Sequence, residues 1–471
     1  MTYNFLPCQR DQQYLMPPSL KDWLPEDHLS WFILDAVEQL DLSEFYRRHR
    51  QDGWGAAAFD PKLMVALLLY AYSTGCRSSR RIEQRCREDV GCRVVAANQV
   101  PDHVTIARFR QGHEDELNRL FVQVLQLCAA AGMVRLGVVA VDGTKVAASA
   151  SWDANRTLGS IEAEVARLLA EAEATDAAED REFGAGRRGD ELPDGLRRST
   201  DRLARLREAK AQLEERARQP QEAYERLLAE RSSKEAARGR KLRGRKPKAP
   251  DLRPDEAARA NVTDPDSRLM KSARGYLQGY NAQLVVTKEQ IILAAACTSE
   301  ENDNHQLQPM LARAEANLAK VAPQATIGAV VADAGYYTDA NVLVAEEEGP
   351  ELFIATANRH PWRRALAEGR GPRGRIPQRL SLKERMARKL LTKRGQRIYS
   401  VRGCSVEPVF GMIKCVRGAD HFLRRGLRAC DAEWKLLATT HNLLKLWRRL
   451  TGLRQSHALG RSSSRPQLAP A

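Results

Sequence analysis

The sequence predicts an α/β fold: an all-helical N-terminal part, then a core of strands and helices that a helical insertion divides. Three observations predict it. Two apolar strand patterns, at 138–146 and 327–336, each run into an acid followed within two residues by glycine. Strand and helix patterns alternate from 279 to 357, which is the grammar of a sheet with crossover helices. Residues 159–260, by contrast, are rich in Ala, Glu and Arg and hold no tryptophan, with only Phe183 and Tyr224 as aromatics.

Composition narrows the function classes. The 471 residues suffice for two or three domains with real cores. Lys and Arg number 75 against 60 acids, a formal net charge of +15, and such an excess suits a polyanionic partner, because contact with phosphates releases counterions. A merely basic soluble protein has the same arithmetic. No run approaches the roughly eighteen apolar residues of a membrane span, and the N-terminus lacks a signal pattern, so a soluble intracellular protein is expected. The nine cysteines form no CxxC pair and read as free thiols in a reducing compartment.

The N-terminal elements follow from capping and periodicity. Pro25-Glu26-Asp27 opens an amphipathic run through Trp31, Phe32, Leu34 and Val37. After a Gly53-Trp54-Gly55 turn, Asp60-Pro61 starts a more apolar helix through Leu63, Met64, Leu67, Leu68 and Tyr70. A third helix begins at Ser78-Ser79 with Arg80, Arg81, Arg85 and Arg87, and a fourth at Asp102, with Arg108, Arg110 and the stripe Leu117, Leu120, Phe121, Val124 and Leu125. Short helices with arginines on one side suit a DNA-binding module and an ordinary helical domain alike.

From 138 the pattern is that of a buried strand interrupted by Asp142-Gly143. An aspartate in such a strand is either paired, metal-binding or the corner of a strand-end turn. In the insertion, Val165, Leu168, Leu169, Leu203, Leu206, Leu213 and Leu227 mark helices of a coiled-coil-like hairpin, broken at Gly184–Gly189 and Pro193-Asp194-Gly195. Its last part, 238–248, is a basic run fitted to a nucleic-acid backbone or to a solvated linker. Beyond it, 279–286 and 291–297 form a strand hairpin; a helix runs from about 304 to 318, the second acid-ended strand reaches Asp333, and a further strand covers 351–357. In α/β sheets ligands gather beyond strand ends, which is where Asp142 and Asp333 fall.

The third acid stands in Val406-Glu407-Pro408-Val409-Phe410-Gly411-Met412-Ile413-Lys414. Pro408 places Glu407 in a helical first turn, where the macrodipole favours negative charge, with Lys414 two turns on near the same face. Three carboxylates brought together would repel, so their convergence implies cations between them. Phe422–Leu444 reads as a long amphipathic helix packing on the sheet, with Trp434 and His441 in the core, and the Ser- and Pro-rich tail as disordered.

Val141-Asp142-Gly143-Thr144, Ala332-Asp333-Ala334-Gly335-Tyr336 and Val406-Glu407-Pro408-Val409-Phe410-Gly411 resemble the three acidic motifs of DDE transposases of bacterial insertion sequences, in the IS5/IS1182-like branch of the IS4-type superfamily. The resemblance implies an RNase H-like catalytic core, formed by 133–158 and 261–452, with a helical DNA-binding domain at 1–132, the insertion at 159–260 and a disordered tail at 453–471. It implies that Asp142, Asp333 and Glu407 are catalytic and hold two Mg²⁺ ions, or Mn²⁺, and that Lys414, Arg402 and Tyr399 contact DNA. The family's third motif spaces Arg and Glu by three residues, whereas four separate Arg402 from Glu407 here; the six-residue gap to Lys414 fits. The implied function is cleavage at insertion-sequence ends and joining of the 3′-hydroxyls to target DNA. Double-stranded DNA, as terminal inverted repeats and target, is the implied partner, with a dimer on DNA, no membrane, and a cytoplasmic, nucleoid-associated location. A nuclease of the same fold and a non-catalytic or decayed DNA-binding protein are the alternatives.

Overall fold

The computed structural model describes residues 19–47, 57–183, 194–238, 249, 258–272, 275–356, 374–377 and 379–462. The Gly53-Trp54-Gly55 turn, Gly184–Gly189, the basic residues 239–248 and the end of the tail, 463–471, lie outside them.

The fold is mixed α/β. Among the described residues a 3-10 turn (Leu20–Asp22) and seven α-helices come first: α1 (Leu29–Glu38), α2 (Ser43–Tyr46), α3 (Pro61–Ser73), α4 (Ser79–Glu88), α5 (Val90–Val95), α6 (His103–Gly112) and α7 (Glu114–Ala130). Asp60 caps α3 and Asp102 caps α6 through their carboxylates, as the sequence signals indicate. The expected arginine face is only partly realised. Arg110 is buried, donating to the Tyr72 hydroxyl and the Arg77 carbonyl at 2.9 and 2.8 Å.

Strand β1 (Val138–Ala147) is central. It pairs antiparallel with β5 (Gly275–Thr287) and parallel with β7 (Ala329–Ala332), which pairs parallel with β8 (Glu351–Ile354). The far edge of the long β5 is shared by β4 (Arg268–Ser272) and β6 (Ile292–Thr298). The hairpin, the strand at Asp333 and the strand at 351 stand where the periodicity puts them; β4 carries too short an apolar signal to be read. Between β1 and β4, the three-residue ladder of β2 (Asn155–Thr157) with β3 (Arg259–Asn261) closes the base of the insertion. The insertion is a pair of long helices, α8 (Leu158–Phe183) and α9 (Asp194–Arg238), packed through Ile161, Leu168, Leu206, Ala209 and Leu213. Asp194 and Gly195 therefore begin a helix instead of lying in a loop.

Two apolar layers sandwich the sheet. On one face α10 (Leu307–Val321) and α11 (Asp339–Glu348) cover Val139, Val141, Val330 and Ala332. On the other, Ala140, Val146 and Val331 meet the C-terminal helices and the N-terminal helices in one continuous core. The basic stretch after β8 holds two helices that charge had hidden, α12 (Leu382–Leu391) and α13 (Lys393–Tyr399), followed by α14 (Val401–Gly411) and α15 (Leu427–Ser462). Helix α15 thus runs past 453, where disorder was expected. It buries Trp434 and His441 and satisfies the open edge of β6: Asn442 exchanges two hydrogen bonds with the Ile292 backbone, and Asp431 accepts from the Cys297 amide.

Candidate active site

The site forms where β1 and β7 end side by side. Val141 is in register with Ala332, so the next residues, Asp142 and Asp333, are neighbours across a parallel pair about 4.8 Å wide. Side chains alternate along a strand. Val141 and Ala332 point into the α10 layer, hence Asp142 and Asp333 point to the opposite face, under α14. Asp142 is buried, and its Oδ1 accepts from the Gly143 amide at 2.9 Å. The Asp333 carboxylate caps the turn after β7 by accepting from the Gly335 amide at 2.9 Å.

Burial pushes the Asp142 carboxyl up to about 7, a tendency that Arg402 opposes and the charges of Asp333 and Asp303 reinforce. Burial also raises Asp333, again against Arg402. Both acids thus stand where negative charge is under-compensated.

Glu407 does not sit in a first turn. Helix α14 begins at Val401, and Pro408 lies inside it. An internal proline removes a donor to the carbonyl four residues back. Here that carbonyl, Cys404, accepts instead from Gln290 Nε2 at 2.9 Å, a side chain at the β5–β6 turn. Gln290 is in turn held by α15: its carbonyl bonds His441 Nε2 at 2.9 Å. The helix survives its proline because the sheet supplies the missing donor.

Arg402, one turn before Glu407, joins the acids. Its Nη2 donates to Asp142 Oδ2 at 2.6 Å and its Nη1 to Glu407 Oε1 at 3.0 Å. The Asp142 and Glu407 carboxylates are therefore separated by no more than one guanidinium fork and its two hydrogen bonds. Arg402 Nε is buried without a partner. Among the described residues no group of three or more His, Cys, Asp or Glu side chains is closed around a common point; the guanidinium stands between two of the three acids. Tyr399 is buried beside this cluster, in the core. Lys414 lies in the five-residue π-helical turn Met412–Val416 that ends α14, and its Nζ donates to Thr144 Oγ1 at 3.0 Å and to the Lys145 carbonyl at 2.9 Å. Glu407 and Lys414 thus meet the same strand, two to three residues apart.

A fourth acid, Asp303, escaped the sequence reading. Its Oδ1 accepts from Asn281 Nδ2 at 2.6 Å and Gln283 Nε2 at 2.7 Å, and Lys145 Nζ lies 3.5 Å away. Gln283 also accepts from the buried Tyr336 hydroxyl, and the Trp434 indole donates to its carbonyl at 3.1 Å. This polar network lies directly behind Gly143: a Cβ there would stand 2.2 Å from Gln283 Nε2 and 2.8 Å from Asp303 Oδ1. Only the run Glu300-Glu301-Asn302-Asp303 could have signalled it, and an acidic run ordinarily marks a solvated turn.

All donors at the site are carboxylate oxygens, the set that hard divalent ions prefer. The place between Asp142 and Glu407 already accommodates positive charge, in the form of the Arg402 guanidinium. The chemistry of these carboxylates therefore fits a divalent cation, in the place that the Arg402 guanidinium holds here.

Two family models match this chain. A transposase domain (DUF772) covers residues 18–112, the N-terminal helices, and a transposase DDE domain covers residues 370–447, which include Arg402, Glu407 and Lys414. No curated protein and no solved structure matches. A transposase domain matched at one end and a transposase DDE domain at the other indicate a DDE transposase of an insertion sequence, a metal-dependent enzyme that acts on DNA.

Proposed function

We propose that this transposase cleaves phosphodiester bonds at the ends of an insertion sequence and joins the freed 3′-hydroxyls to target DNA, with Asp142, Asp333 and Glu407 as its catalytic, metal-holding acids. The observation that carries the proposal is the adjacency of Asp142 and Asp333 on paired parallel strands, with Glu407 bridged to Asp142 through one guanidinium. The strand sequence β6-β5-β1-β7-β8, antiparallel only at β5 with its neighbours, supports an RNase H-like core. The proposed units are those of the sequence reading: a DNA-binding helical region at 1–132, the core at 133–158 and 261–452, and the insertion at 159–260. The IS5/IS1182-like branch is the assignment that the motifs favour.

Cleavage requires a water oxygen to attack phosphorus while the bond to the 3′-oxygen breaks; joining requires that 3′-oxygen to attack a target phosphorus while a target P–O bond breaks. Cleavage hydrolyses a phosphodiester to a 5′-phosphate and a 3′-hydroxyl, joining exchanges one phosphodiester for another, and neither needs an external energy source. Two Mg²⁺ or Mn²⁺ ions, when bound, would lower the pKa of the attacking oxygen and stabilise the leaving one. Asp142, Asp333 and Glu407 would hold them. Lys414, fixed against Thr144, would contact a phosphate beside the scissile bond, and Arg402 completes the proposed DNA-facing set; Tyr399, expected to contact DNA as well, is buried in the core beside it. Two ends must be paired, so a dimer on DNA is expected, at the nucleoid.

The test uses linear duplexes bearing the repeats that flank the gene, a plasmid target and Mg²⁺. Asp142→Asn is expected to abolish cut and joined products while leaving the end-binding shift intact. Cleavage by the purified variant overturns the assignment, and cut ends without joined products in the parent protein point to a nuclease.

A further inference from the structure

A second cationic site lies beyond the end of β1, away from the acids. The chain from Glu407 onward tracks that strand: Glu407 meets Asp142 through Arg402, Lys414 meets Thr144 and Lys145, and the Ala147 amide donates to the Asp420 carbonyl while the Phe422 amide donates to that of Ala147. Past Ala147 opens a cavity of about 450 Å³ between the α3–α4 junction and the loop 417–423. Arg77, Arg81, Arg85, Arg417 and His421 line it, with Ser78 at its wall.

Arg77, Arg85 and His421 each have an acid beside them, His421 paired with Asp420 at 2.8 Å, whereas Arg81 and Arg417 carry the excess positive charge. Arg77 is buried and held by Glu433 at 2.7 Å while bonding the His421 and Gly418 carbonyls, so it fixes the loop. Arg85 is paired with Asp89 at 2.9 Å. Arg417 is buried with its guanidinium on uncharged oxygens, Thr440 Oγ1 and the Leu437 carbonyl, and with Nε unpartnered. Burial beside Arg77 and Arg448 pulls it down to about 9, the mark of a cation lacking a counter-ion. Arg81 is exposed at the rim. Helix α4, ten residues long, begins at this wall, and its N-cap Ser78 makes no side-chain hydrogen bond to the first turn. The positive end of the helix therefore lies at the wall of the cavity.

We propose that this cavity binds a backbone phosphate of the DNA strand held in the active site. Asp142 to Ala147 spans five residues of strand, about 17 Å, and a DNA strand rises about 3.4 Å per nucleotide. With the DNA strand laid along β1, as the proposal has it, the contacted phosphate lies about five nucleotides from the scissile bond, with Lys414 between them. The placement rests on the active-site reading, and it joins the matched N-terminal region to the matched DDE region across one duplex.

The test measures binding of the full chain to a short fluorescent duplex over a salt series without metal, for the parent protein, Arg81→Gln, Arg81→Lys and Asp142→Asn. Arg81→Gln is expected to weaken binding several-fold and to reduce the slope of log affinity against log salt by about one phosphate's worth; Arg81→Lys should keep most of both. Thermal midpoints equal to the parent's show that folding is untouched. An unchanged affinity and slope for Arg81→Gln overturns the proposal. So does protection of the parent, but not of Arg81→Gln, by millimolar inorganic phosphate when the DNA slope is unaffected, because the site then takes a free anion. Cleavage by Asp142→Asn in the separate assay with Mg²⁺ would sink the active-site reading while leaving the phosphate contact standing on its own slope.

Discussion

Gly143 shows how tightly one residue couples the acid strand to what lies behind it. Asp142 was legible from its misfit in an apolar strand, but the reason for the glycine beside it was not: a Cβ would collide with Gln283 and Asp303, which only the pairing of β1 with β5 brings there. Gly143→Ala is expected to destabilise the protein by about 1–3 kcal/mol through overpacking, read as a lower urea midpoint, and to reduce cleavage more than binding. A variant with the parent's midpoint and activity would show that the network yields freely. Arg402 is the second instructive residue. Its guanidinium stands where positive charge is wanted between Asp142 and Glu407. Arg402→Gln should therefore bind Mn²⁺ several-fold more tightly than the parent in the absence of DNA, by calorimetry; equal or weaker affinity would mean that the side chain is not a stand-in for the ion. Asp303 belongs to this scale as well, since nothing local in Asn302-Asp303-Asn304 distinguishes a structural carboxylate from a solvated one.

At the scale of elements, the helix carrying Glu407 departs most from its sequence signal. A proline after an acid reads as a helix start, yet α14 runs through it because Gln290 answers the orphaned Cys404 carbonyl. Gln290→Ala is expected to remove about 1 kcal/mol, up to 3 if the carbonyl stays dry, and to loosen Glu407 so that cleavage falls while DNA affinity holds. Unchanged stability would mean that water replaces the amide. The helical hairpin has its own core of Ile161, Leu206 and Leu213, its base is closed by the β2–β3 ladder, and Gln212 and Arg216 tie it to Asp266 and the Pro265 carbonyl at 3.0 Å each. Replacing 158–258 by a short flexible linker should leave far-UV and thermal transitions of the core within a few degrees of the parent. Loss of cooperative unfolding would show that the hairpin supports the sheet. Its heptad-like leucines were readable; its clamp was not, because three-residue strands carry no periodicity.

At the scale of the whole molecule, the N-terminal helices and the sheet share one apolar core, joined by the buried Arg77–Glu433 pair and by Arg428–Asp115 at 2.9 Å. Removing residues 1–132 uncovers Leu436 and Leu437 of α15, so the remainder is expected to aggregate, which size-exclusion chromatography would detect. A soluble, cooperatively folding 133–471 fragment would contradict that. Acid should also act globally through His441, which burial and the nearby Arg417, Lys445 and Arg448 hold down at about 3. The unfolded chain binds a proton near pH 6.5 that the folded one refuses, so stability present above that pH is lost as pH falls from about 6.5 toward 3. His441→Asn, which can still donate to Gln290, should flatten that part of the stability profile; an unchanged slope would assign it to other groups. The sequence by itself determined the α/β class, the order of strands and helices around three acids, and the cationic surplus, because hydrophobic period and formal charge are local properties. Only the tertiary structure decided that Arg402 bridges Asp142 and Glu407, that Asp303 backs the acid strand, and that the two matched regions share a core. Those contacts join residues hundreds of positions apart, and what fixes them is the register of the sheet and the burial of α15, to which no local pattern bears witness.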